Sequence, residues 1–82
     1  MSYAETQQHH HYVSVRDGGR SGLLAGPFST RQEAEAMVEP ARKLAQEVND
    51  RAIWYAYGTA RVHTSTPRPG RLNAQLGLPT TV

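Results

Sequence analysis

At 82 residues the chain has room for one domain with a small core, and its 38% hydrophobic and 20% charged content does not require global disorder. A formal charge of +2 is well short of a polybasic protein, and the absence of cysteine excludes disulfides, thiolate chemistry and Cys-based zinc sites. No segment approaches the ~18 apolar residues that span a bilayer, and the start of the chain lacks a basic block followed by an apolar run, so a cytoplasmic protein without membrane association is expected.

Residues 1–10 are polar and aperiodic and are expected to form a flexible end. His11-Tyr12-Val13-Ser14-Val15-Arg16 alternates polar and apolar residues, as a half-buried strand does. Asp17-Gly18-Gly19-Arg20 is hairpin-turn chemistry, because glycine supplies the positive φ that a tight turn needs. Leu23-Leu24-Ala25-Gly26 reads as a short second strand that Gly26-Pro27 ends.

A helix follows. Thr30 and Glu33 have the spacing of a capping box, with Ser29 and Gln32 as an alternative frame. Ala34, Met37, Val38, Ala41, Leu44, Ala45 and Val48 recur at helical spacing as one apolar stripe. Glu39 and Lys43 are placed for an ion pair, and Asn49-Asp50 stops the helix. Pro40 lies inside this run and removes a backbone donor, which predicts a kink or two abutting helices. Ala52 to Val62 reads as a long third strand. Thr64 to Gly70 is linker chemistry, and residues 71–76 have the makings of a short helix that Gly77 ends.

The order strand, strand, helix, strand predicts an α+β fold over residues 11–63. It has a three-stranded, mostly antiparallel sheet in the order 2-1-3, one kinked helix on one face, and a flexible tail at 64–82. The helix is expected over Val13, Val15, Trp54, Ala56 and Ala60. The opposite, open face is expected to carry Tyr12, Ser14, Arg16, Ile53, Tyr55, Tyr57, Thr59 and Arg61.

That open face is the main candidate site. Aromatics and arginine are enriched at protein interfaces, so Tyr12, Arg16, Ile53, Tyr55, Tyr57, Thr59 and Arg61 suit a protein partner or a homodimer. The same tyrosines can stack bases of single-stranded nucleic acid, with Arg68 and Arg71 of the acid-free C-terminal end on phosphates. A third possibility is that Leu72, Leu76 and Leu78 fold back over it. His9-His10-His11 lacks an evident fourth ligand and reads as a polar end, with no metal site. Asp17 to Gly22 has no Lys-Ser/Thr and no helix after it, so it reads as a turn and not a phosphate loop. The acids lie mostly on one solvated helix face and His63 has no evident partner, so no enzymatic activity and no cofactor are expected.

Gly26-Pro27-Phe28-Ser29-Thr30-Arg31-Gln32-Glu33-Ala34-Glu35-Ala36-Met37 resembles the turn-to-helix segment of SPOR domains, which implies glycan binding. The wider core, from Gly-Pro-Phe through the Ala/Glu-rich helix to Tyr55-Ala56-Tyr57-Gly58-Thr59-Ala60-Arg61-Val62, is similar to small uncharacterised proteins of bacteriophages and prophages. That likeness implies an accessory role in which the protein binds and modulates a host machine, and it transfers no functional residues.

Overall fold

A computed structural model describes residues 9–80. Strands β1 (His9–Asp17) and β2 (Arg20–Phe28) pair antiparallel across Gly18-Gly19, where Gly18 takes a φ of +62°. Their register slips on both sides of Val13, the signature of bulges, which sharpen the local twist. Both strands are longer than the apolar runs that announced them. His9 and His10 belong to β1, which corrects the expectation of a flexible end through residue 10; residues 1–8 lie outside the described residues.

Helix α1 (Arg31–Ala36) opens on the expected capping box: Glu33 N–H donates to Thr30 Oγ1, and Thr30 N–H to Glu33 Oε1, both at 3.1 Å. Met37 then interrupts the helix and α2 (Val38–Val48) begins. Pro40 explains the break. It is the third residue of α2, where an N–H has no partner inside its own helix, so the missing donor costs nothing there. The two abutting helices thus replace a kink. Ala34, Ala41 and Ala45 are buried, whereas Val48 is 62% exposed and leaves the expected stripe. Glu39 pairs with Arg42 and Arg31 with Glu35.

Asn49 ends α2 and starts a 3-10 turn at Asp50–Trp54, its Oδ1 accepting from Arg51 N–H at 3.0 Å. Strand β3 therefore spans Ala56–His63 and begins four residues later than expected. It pairs antiparallel with β1, from His9 opposite His63 to Arg16 opposite Ala56, without a slip. The sheet order is β2-β1-β3, and the fold is α+β as the sequence implied.

The tail is part of the fold, which corrects its description as flexible. Gly70, Arg71 and Leu72 donate backbone N–H bonds of 3.0, 3.0 and 2.8 Å to the carbonyls of Gly26, Leu23 and Leu24. Helix α3 (Asn73–Leu76) follows and ends at Gly77 with φ +75°. Buried Asn73 accepts from Gly26 N–H at 3.1 Å and donates to the carbonyls of Gly26 and Pro79. The core gathers Val13, Leu24, Ala25, Ala41, Ala45, Ala52 and Leu72. Among the described residues no helix is long and apolar enough to cross a membrane.

Candidate functional site

The pairing of β1 with β3 decides which side chains share a face. Residues directly opposite each other in an antiparallel pair point to the same side of the sheet. Val13 stands opposite Thr59, Val15 opposite Tyr57 and His11 opposite Arg61. The odd-numbered residues of β3 therefore lie on the side of the core and the helices. The even-numbered ones, Ala56, Gly58 and Ala60, lie on the other side with Arg16, Ser14 and Tyr12. The β1 residues lie on the faces expected of them, but the β3 faces are exchanged: Tyr57, Thr59 and Arg61 lie on the helix side and do not share a surface with Tyr12 and Arg16.

Tyr12 is 1% exposed. Its hydroxyl donates to the Arg68 carbonyl at 2.7 Å, so the tail covers it. Burial raises its pKa, and the bond to Arg68 partly opposes the rise. Neighbouring Val13, on the helix side, has no exposed surface, so the centre of β1 is covered on both faces. The tail thus does fold over part of the second face. Leu72, Leu76 and Leu78, however, join or pack against the core cluster.

Tyr55 and Tyr57 are half-buried and pack against the core, their rings 6.4 Å apart. Tyr57 donates to the Ala52 carbonyl at 2.8 Å, and Tyr55 accepts from Asn49 Nδ2 at 3.0 Å. Burial raises the Tyr57 pKa, the neighbouring Tyr55 adds to the rise, and Arg42 opposes it. These bonds anchor the 3-10 turn to β3. Both tyrosines thus serve the fold more than a free stacking platform. Thr59 is half-buried and Arg61 exposed on the helix side; Arg16 is exposed on the other.

A shallow hollow of about 570 Å³ is lined by Ser14, Ser21, Leu23, Ala56, Gly58 and Ala60, with Arg16 and Tyr57 beside them. A second hollow, of about 230 Å³, brings together Arg20, Tyr55 and Arg71 beside Asp17 and Ser21. Arg71 lies over Gly22, where an added Cβ would meet its guanidinium carbon at 3.7 Å. Arg68 is exposed and does not line it.

Ile53 falls outside the sheet, in the 3-10 turn, and is 58% exposed beside Trp54, which is 81% exposed. With Val48 they are the large apolar side chains that the described surface leaves in solvent. Sequence reasoning placed Trp54 and Val48 against the core. The signal against it was Asn49-Asp50, which both stops a helix and opens a turn that breaks strand alternation.

His9 and His63 face each other with ring centroids 4.5 Å apart. No group of three or more His, Asp or Glu among the described residues is placed to hold a metal ion. Comparison with protein-family models, curated proteins and solved structures gave no match.

Proposed function

We propose that this is a small non-enzymatic binding protein of phage or mobile-element type. It acts in the bacterial cytoplasm by contact with another protein, through the apolar surface at the junction of α2 and the 3-10 turn. The observation that carries the reading is that Trp54 is 81% exposed, with Ile53 before it in the 3-10 turn at 58% and Val48 at the end of α2 at 62%. Burying an aromatic side chain removes about 150–250 Å² from water. At ~25 cal/mol per Å² that is about 4–6 kcal/mol, comparable with the whole stability expected of a domain this small. A fold with so little core leaves its one tryptophan outside, and tryptophan is among the residues that most often carry binding energy in protein interfaces.

The test is capture from a bacterial lysate with the tagged protein and with an Ile53→Ser/Trp54→Ser double variant. Both side chains are mostly solvated, so the variant keeps its far-UV circular dichroism and melting temperature. A protein retained by the first and lost by the second supports the reading. Identical captures by two folded proteins contradict it.

A second reading, single-stranded nucleic-acid binding, is favoured by the hollow that unites Tyr55, Arg20 and Arg71. It requires an affinity for oligothymidylate that falls steeply with salt and is lost in Arg71→Ala. Absent or salt-independent binding removes it.

A further inference from the structure

Asp17, Arg20, Ser21, Tyr55 and Arg71 reach one hollow from three distant stretches of the chain. Asp17 and Arg20 stand opposite each other where the hairpin turns. Tyr55 follows the 3-10 turn, its hydroxyl accepting from Asn49 Nδ2 at 3.0 Å. Arg71 arrives with the docked tail, its backbone N–H fixed on the Leu23 carbonyl at 3.0 Å. Its guanidinium lies beside Gly22, where the missing side chain leaves it room. Folding assembles this group, and no local segment of sequence holds it.

The ion pairs among the described residues are Arg31 with Glu35 and Arg42 with Glu39, both on the helices. Arg20 and Arg71 have no carboxylate partner among the described residues, although Asp17 lines the same hollow. Two like charges on one small hollow favour an anion there. The hollow measures about 230 Å³, below the ~300–1,000 Å³ of sites for drug-sized ligands. That suits one compact anionic group and the few atoms next to it. A carboxylate ligand carries one charge, whereas a phosphate monoester carries about 1.5–2 at pH 7, closer to the two guanidinium groups. The planar guanidinium fork also matches phosphate oxygens two at a time. Asp17 only accepts hydrogen bonds and repels a second anion. The ligand it admits has a single anionic group with a hydroxyl beside it.

We propose that this hollow binds a phosphate monoester, its oxygens on Arg20 and Arg71 and a neighbouring sugar hydroxyl on Asp17. A free nucleoside monophosphate and the 5′-phosphate end of a strand share this chemistry. The inference rests on the same hollow as the nucleic-acid reading but needs no strand, and it is independent of the Trp54 surface.

The experiment titrates the intact chain by calorimetry with adenosine 5′-monophosphate, with adenosine, and with oligothymidylate bearing or lacking a 5′-phosphate. The monophosphate is expected to bind and adenosine is not. Arg20→Ala and Arg71→Ala are each expected to weaken that binding about tenfold or more. Arg51→Ala removes the same charge from an exposed position outside the hollow and is expected to leave it nearly unchanged. All three side chains are exposed, so the variants keep the parent melting temperature and a lost affinity is not lost folding. A 5′-phosphate that strengthens oligothymidylate binding while the free monophosphate stays inert also supports the proposal and assigns the site to strand ends. Equal binding of adenosine and its monophosphate overturns it, as do equal losses in all three variants or no response to either phosphate. Oligothymidylate that binds equally with and without its 5′-phosphate, while the monophosphate does not bind, overturns it and leaves the strand reading standing. The two therefore fail separately.

Discussion

Val15 stands directly opposite Tyr57 across β1 and β3, and both pack against the core cluster. That one pairing puts the tyrosine on the helix side of the sheet and moves the search for a contact surface to the 3-10 turn. It also gives Tyr57 and Trp54, three residues apart, opposite roles in stability.

Tyr57→Ala removes a core-packed ring and the donor to the Ala52 carbonyl, and is expected to cost about 2–4 kcal/mol. Trp54→Ala is expected to stay within about 0.5 kcal/mol of the parent, as mutations at solvated positions do. Urea unfolding of the two variants, compared by midpoint at constant slope, measures both. Equal losses would mean that Trp54 is structural.

The clasp of Asn73 on Gly26 is expected to matter as much as any apolar contact. Asn73→Ala leaves the buried Gly26 N–H without the side chain that accepts from it, at a cost of about 1–3 kcal/mol. Gly70→Ala tests the same docking sterically. Its Cβ would lie 2.5 Å from Ala25 N and 2.6 Å from the Leu24 carbonyl carbon, and both are backbone atoms that cannot swing aside. At Gly19 nothing lies within 4 Å, so Gly19→Ala is the matched control and should be far milder. Denaturant midpoints that rank Gly70→Ala with Gly19→Ala would contradict the docked tail.

A chain ending after Thr64 is expected to lose its cooperative melt. It would lack Leu72 from the core, Asn73 from Gly26, the Arg68 carbonyl from Tyr12 and the segment that closes the β2 edge. Differential scanning calorimetry decides this. A sharp transition close to that of the full chain would show that the tail is dispensable.

Alkali should destabilise the protein. Burial raises the pKa values of Tyr12 and Tyr57 above the ordinary tyrosine value of about 10. The folded state therefore holds these phenolic protons more tightly than the unfolded state does. Their contribution is complete below about pH 10 and is lost as pH rises through the higher folded values. Melting temperature should fall above that pH, and less steeply in Tyr12→Phe, which starts lower by the lost bond to Arg68 (about 1 kcal/mol). The same slope in both proteins would leave Tyr12 without a part in it.

Local signals were readable in the chain and non-local ones were not. The Thr30–Glu33 box, the Gly18 turn and the Gly77 stop each depend on a few neighbouring residues, and each appears as read. The 2-1-3 strand order followed from chain connectivity. Which residues share a face depends on the register of β1 against β3, a tertiary quantity, and a shift of one residue exchanges the faces. Ala52-Ile53-Trp54 alternates like a strand, but it forms a 3-10 turn that the Asn49 side chain spans with bonds to Arg51 N–H and the Tyr55 hydroxyl. Thr64 to Gly70 has the composition of a linker, yet Gly70 docks because it has no Cβ to strike Ala25.

The most direct test of the proposed function is site-specific photocross-linking in bacterial cells, with a benzophenone side chain at Ile53 and, as control, at Ala56 on the open sheet face. The expected result is one discrete heavier adduct from position 53 and none from position 56. No adduct at 53, or an equal yield from both positions, would contradict a protein contact centred on Trp54.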